Sequence, residues 1–176
     1  DVNFDIHDAD KGVNRSERDV RKKVMTHLVV SGGTNLASGL SLVSVVIDIE
    51  RIGDYTKNIY DLAVHHPLRL EGGPVEEKLQ NVEALVTSDF KSMIEVFRDR
   101  DEDKARLIMN NYKEGLSDAC EEISNSILSG AVTGLNSSDA TAVSLYARFL
   151  KRIASHSRNI VTSVVNPFHR IGYREK

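Results

Sequence analysis

Residues 49–59 read Ile49-Glu-Arg-Ile-Gly-Asp-Tyr-Thr-Lys-Asn-Ile59, and residues 150–160 read Leu150-Lys-Arg-Ile-Ala-Ser-His-Ser-Arg-Asn-Ile160. Laid over each other at an offset of 101, the two stretches share Arg-Ile and Asn-Ile and set Lys57 against Arg158. Identity is low, but the order of apolar and polar positions is the same, which implies two related units in tandem. Working outward from the first stretch, Leu42, Val45, Ile49, Ile52, Thr56, Ile59 and Ala63 recur every three or four residues. That is the period of one helix face. A second line, Leu36, Leu40, Val43 and Ile47, has the same spacing and continues onto Glu50 and Asp54. A helix with two such lines is buried over a wide arc.

The same reading extends to five helical segments: about Asp8 to Leu28, Asn35 to His65, Pro74 to Phe97, Asp101 to Leu128 and Asp139 to Val165. Punctuation supports the divisions. Pro67 and Pro167 follow periodic runs, and Gly72-Gly73-Pro74 ahead of Glu76-Glu77 is a helix-start pattern. The acids of Asp99-Arg-Asp-Glu-Asp103 favour a new helix N-terminus, and Asn136-Ser-Ser-Asp139 supplies caps for the last helix. Val29-Val30 is the one short strand-like run, and the tail from Asn166 to Lys176 reads as irregular. Long helices with short connections predict an all-α, antiparallel helical bundle; a spectrin-like or coiled-coil scaffold is the competing arrangement.

Composition narrows the function. With 176 residues, 40% apolar and 28% charged, the chain has the balance of a single globular domain. A net charge of −3 gives no field suited to holding nucleic-acid phosphates and offers no polybasic handle for a membrane surface. The lone Cys120 excludes a disulfide framework and a four-cysteine zinc site, and fits a reducing, cytoplasmic compartment. The most apolar run, Leu36 to Ile49, is interrupted by Ser38, Gly39, Ser41, Ser44 and Asp48, too often and over too short a length to span a bilayer. No signal-peptide pattern opens the chain. Its first residue, Asp1, reads as belonging to a longer polypeptide.

The chemistry-bearing residues lie where the second apolar line turns acidic. A buried carboxylate must be protonated, paired with a base, or bound to a cation. Glu50 and Asp54, one turn apart, can offer up to four oxygens, a donor set for hard cations such as iron(III), manganese, magnesium or calcium. Pairing with neighbouring Lys and Arg is the plainer alternative. Arg51 points about 100° away around the helix. In the second unit the acidic line maps onto Ser137, Thr141, Ser144, Arg148, Lys151 and Ser155, so no second carboxylate site is expected. Arg148 and Lys151 are expected to pair with Asp118, Glu121 or Glu122 rather than to bind an anion. His65 and His66 sit at a helix end, His27 reads as packed or partly exposed, and His156 is a candidate ligand beside the degenerate motif. No histidine has Glu three positions earlier, and no phosphate loop or nucleophile with a positioned base is present. Binding or regulation is favoured over catalysis.

Asp48-Ile-Glu-Arg-Ile-Gly-Asp54, followed by Lys57-Asn58-Ile59, resembles the signature of the PhoU family of phosphate-uptake regulators. Asp10-Lys-Gly-Val-Asn14, with Glu17 and Val20-Arg21, is similar to the helix that precedes it in that family. The resemblance runs from about Asp8 to Val165. It implies two three-helix units in tandem within a single domain, unit one over about 1–66 and unit two over about 74–165. The first helix of unit one is then missing or truncated, to be supplied by a partner in a homodimer or by the absent chain. It implies a metal, in the family an iron or other cluster, at Glu50 and Asp54, with Asp10, Asn14 and Glu17 as weaker neighbours. It also implies a non-catalytic regulator of phosphate homeostasis that acts on a phosphate transporter or its sensor kinase. Such a protein binds no nucleic acid and meets the membrane only through the transporter. The alternative is a metal-free interaction bundle, such as the cytosolic tail of a sodium/phosphate cotransporter.

Overall fold

Helix ends are set by side chains that supply the missing hydrogen-bond partners of the first turn. The Asp5 carboxylate accepts from the backbone N–H groups of His7 and Asp8 at 2.9 and 3.2 Å, so α1 begins at Ile6 and runs to Val30. This is slightly longer than the spacing predicts, because the cap lies outside the apolar pattern. Asp101 caps α4 (Glu102–Asn111) through the N–H of Lys104, and Asn136 caps α6 (Ser137–Val165) through the N–H of Asp139. The remaining helices are α2 (Leu36–His65), α3 (Glu76–Asp99) and α5 (Ser117–Leu128), with 3₁₀ turns at Gly73–Val75 and Phe168–Arg170. The computed structural model describes residues 5–66 and 68–175, the side chain of Glu114 excepted. Among them there is no strand, and the expected all-α bundle stands. Pro67, read as a helix end, lies outside the described residues.

The single helix expected over 101–128 is two. A wide π turn at Tyr112–Leu116 separates α4 from α5, and Gly115 within it has φ 156° and ψ −24°. Only glycine enters that region without strain, so this residue breaks a segment whose apolar periodicity reads as continuous.

α6 is the central helix, touching α2, α3, α4 and α5. Val143, Ile160 and Val161 on it are wholly buried, and they join Val96, Ile123 and Val45 in one continuous core. α1 is different. It packs substantially on α2 alone and has no buried residue. The approach is close: a Cβ on Gly39 would stand 3.1 Å from Val24 Cγ1 and 3.2 Å from Leu28 Cδ1.

The two units are unequally covered. α3, α4 and α5 all pack on α6, where Val143 and Leu150 are 0% and 4% exposed. Their counterparts on α2 at the offset of 101, Leu42 and Ile49, are 40% and 43% exposed. Ile49 opens onto an apolar groove of about 420 Å³ between α1, α2 and α3, walled also by Val13, Phe90 and Phe97. Unit one thus has two helices where unit two has α3, the broken α4–α5 pair, and α6. The asymmetry has an energetic signature. Leu150→Ala should cost about 2–5 kcal/mol, whereas Ile49→Ala should cost no more than about 1.5 kcal/mol. Urea-denaturation midpoints of the two variants check this, and equal losses would contradict the uneven burial.

Candidate functional site

The α1–α2 pair brings Asp10, Asn14, Glu17, Glu50 and Asp54 to one face-to-face seam, whereas His156 lies elsewhere. Asp10, Asn14 and Glu17 recur at helical spacing on α1, and Glu50, Asp54 and Lys57 do so on α2. The carboxylates of Asp10, Glu17 and Glu50 are 14–15% exposed and that of Asp54 28%, so none is loose in solvent. Burial raises the Glu50 carboxyl above its ordinary value, the charge of Asp54 raises it further, and Glu17 and Asp10 add to this. Arg51 works in the other direction.

Bases accompany the acids. Lys57 Nζ stands 3.4 Å from Asp10 Oδ2 and 3.9 Å from Asp54 Oδ1, bridging the two helices. Asn14 Nδ2 donates to the Asp10 backbone carbonyl at 3.1 Å and lies 3.4 Å from its carboxylate. Arg21 pairs with Glu17 at 3.0 Å. Arg51 departs from expectation: its Nε is 3.5 Å from Glu50 and its terminal nitrogen 3.2 Å from Asp54. Its Cβ leaves the helix on another face, but the long side chain reaches back along the surface. Chemically the donors suit a hard cation, being oxygens from four carboxylates and an amide. Geometrically, among the described residues no group of three or more acidic, histidine or cysteine side chains is gathered closely enough to hold a metal ion. Between Asp10 and Asp54 stands the ammonium of Lys57. A cation shared by Asp10 and Asp54 would have to displace it.

In the corresponding stretch of unit two only one of the two bases expected to pair does so, and Arg148 is in none of the ion pairs among the described residues. Lys151 is bonded to Glu121, as its surroundings predict, and Arg148 is exposed. Cys120 is buried, and burial pushes its thiol up to about 11, leaving it unreactive.

Sequence reasoning missed the polar seam between α2 and α6, of which it singled out His156 alone and for another role. Asp48 Oδ1 is 2.7 Å from Nδ1 of His156 and accepts from Asn159 Nδ2 at 3.1 Å. The His156 ring stacks on Tyr55 with centroids 5.8 Å apart, and Arg152 Nε donates to the Tyr55 hydroxyl at 3.1 Å. His156, considered a metal ligand, is thus engaged by Asp48 and lies in the seam between units. A signal was available, since Asp48 and Tyr55 are seven residues apart on one helix face and their counterparts Phe149 and His156 repeat that spacing. Asp48 reads instead as one of several polar breaks in an apolar run. His66, at the end of α2, makes a second inter-unit contact, 2.9 Å from Asp139. Hydrogen bonding to the Leu68 carbonyl raises the His66 imidazole above its ordinary value, and Asp139 adds to this.

No helix of the described residues is long and apolar enough to cross a membrane. No curated protein matches the chain significantly. The family model of the PhoU domain matches residues 3–63 and 79–164, the two segments that carry α1–α2 and α3–α6. That match covers most of the chain and both halves of the repeat, and the chain belongs to the PhoU family, whose members are regulatory, non-catalytic proteins of phosphate homeostasis.

Proposed function

We propose that this chain restrains phosphate uptake by contacting a phosphate transporter or its sensor kinase, and that the acidic cluster between α1 and α2 is its regulatory element. The observation that carries this reading is the convergence of Asp10, Glu17, Glu50 and Asp54 on a helix pair with no buried anchor on the α1 side. Four carboxylates so placed repel one another, and Lys57, Arg51 and Arg21 offset only part of that repulsion. A hard cation such as iron or manganese would take oxygens from Glu50 and Asp54, with Asp10, Asn14 and Glu17 adjoining, and would displace Lys57. Its binding would then alter how firmly α1 is held, and through α1 the surface offered to a partner. The competing reading, a metal-free interaction bundle, is favoured by the ion pairs already made.

Metal content distinguishes the two. The chain should bind manganese or iron with a defined stoichiometry, measured by elemental analysis after desalting. Glu50→Ala combined with Asp54→Ala should abolish it without loss of helical circular dichroism, and Lys57→Met should tighten it by removing the competing ammonium. Absence of bound metal in the unsubstituted chain would leave the interaction bundle as the reading.

Glu50 gives a second test. A carboxyl whose folded-state value is raised holds its proton more firmly in the folded chain. Its contribution to stability is greatest below the ordinary carboxylate value and is lost as pH rises through the raised one. In metal-free protein, Glu50→Gln should therefore increase the melting temperature at neutral pH. The gain should vanish as pH falls below the ordinary carboxylate value, where Glu50 is itself neutral. A melting profile in which Gln destabilises at neutral pH would show that the Arg51 pairing outweighs burial.

A further inference from the structure

The face of α1 turned away from α2 has a character that the net charge conceals. Val24 and Leu28 face Gly39 of α2, and at about 100° per residue Arg15, Lys22 and Val29 fall on the opposite side, with Arg18 and Met25 at its flank. All five are exposed, as is Lys23. From residue 15 to residue 30 there are five bases, Arg15, Arg18, Arg21, Lys22 and Lys23, against the acids Glu17 and Asp19, an excess of three positive charges in a chain whose total is −3. Among the described residues the ion pairs of α1 are those of His7, Asp8, Asp10, Lys11, Glu17 and Arg21. Arg15, Arg18, Lys22 and Lys23 take part in none of them.

Beyond these bases the helix pair ends in uncovered apolar side chains. Met25, Val29 and Val30 are 63%, 77% and 82% exposed, and Leu36, across the turn, is 52% exposed. Lys22 precedes Val30 by about 12 Å along the helix axis, so the bases form a collar behind an apolar end. A hollow of about 540 Å³ lies against Lys22, Lys23, Thr26, His27 and Val30, with Asp19 at its edge. The apolar side chains of α1 spread over about 140° of its circumference, and Leu36 extends them onto the second helix. A groove on a protein takes one apolar stripe of a single helix. A bilayer surface takes an end that is apolar on several sides, with cations set back at the depth of the lipid phosphates.

We propose that the α1–α2 end is a membrane-contact tip: Met25, Val29, Val30 and Leu36 enter the surface of an anionic bilayer while Arg18, Lys22 and Lys23 meet its headgroup phosphates. This contact is direct, in place of one made only through a transporter, and it does not depend on metal at the acidic cluster. The anionic leaflet supplies the charge complementarity, and the interruption Ser31-Gly32-Gly33-Thr34 supplies a narrow turn that presents the apolar groups together.

The test is sedimentation of the 176-residue chain with vesicles of phosphatidylcholine alone and of phosphatidylcholine with phosphatidylserine at physiological salt. Binding should be at least about fivefold stronger to the anionic vesicles, the scale set by even one basic side chain near such a surface. Lys22→Glu with Lys23→Glu should remove that preference. Val29→Asp with Val30→Asp should abolish binding, and Leu107→Asp, at another exposed apolar site (60%), should leave it unchanged. The chain has no tryptophan, so Val30→Trp adds a second reading: its emission should move to shorter wavelength with anionic vesicles. Each altered residue is exposed, and retained circular dichroism keeps the comparison valid. Failure to bind anionic vesicles, binding indifferent to Val29→Asp with Val30→Asp, or equal loss with Leu107→Asp would overturn the proposal. So would self-association through this end in place of vesicle binding.

Discussion

The contact between α2 and α6 is the constraint on which the architecture rests. Asp48 of α2 meets His156 of α6, and Tyr55 of α2 meets Phe149 of α6. Positions 149 and 156 are the counterparts of 48 and 55 at the offset of the repeat. The two contacts are therefore the same pair of positions, exchanged. This is the rule of an isologous interface, in which residue i meets j and j meets i, here within one chain. A tandem repeat that folds onto itself in this way brings its two motif helices together at the centre and leaves the others to pack around them. Because the seam is polar at Asp48, Asn159, Arg152 and His156 and apolar at Val45 and Ile160, it specifies register as well as adhesion.

The sequence was most legible where periodicity and caps agree. α2, α3 and α6 follow apolar lines long enough to exclude a strand, and the repeat identified α6 even after its acidic residues had been replaced. It was least legible where backbone geometry overrides pattern. Gly115 interrupts a run whose side chains keep helical spacing, and a lone glycine within a helix gives no sign of whether it is tolerated or used. The acidic cluster was legible as a set, since Asp10, Asn14, Glu17, Glu50 and Asp54 share helix faces. Its bases were less so: Lys57 is in phase with Asp54, but Arg51 is out of phase and arrives through the length of its side chain. Phase arguments locate Cβ atoms, and a guanidinium at the far end of a long side chain is free to choose another neighbour.

Charge distribution taught the same lesson at larger scale. A total of −3 describes a mildly acidic protein, yet α1 turns Asp10 and Glu17 toward α2 and carries the unpaired bases Arg15, Arg18, Lys22 and Lys23, with Asp8 and Asp19 among them, on the side away from it. Sums over a chain erase differences between faces of one helix, and it is faces that meet partners. Unit one concentrates both: Asp10 and Glu17 of the carboxylate cluster and most of the basic, apolar-tipped outer surface belong to the same 25-residue helix.

That helix has no side chain in the core. Its amide protons are therefore expected to exchange through detachment of a single leaf, well before the chain unfolds as a whole. What lies between the leaves then governs how often they part: repulsion among Asp10, Glu17, Glu50 and Asp54 pushes them open, and any positive charge lodged there draws them shut. The fold thus sets an electrostatic spring beneath a helix with no buried side chain, where local ion balance bears directly on how often that helix should be free.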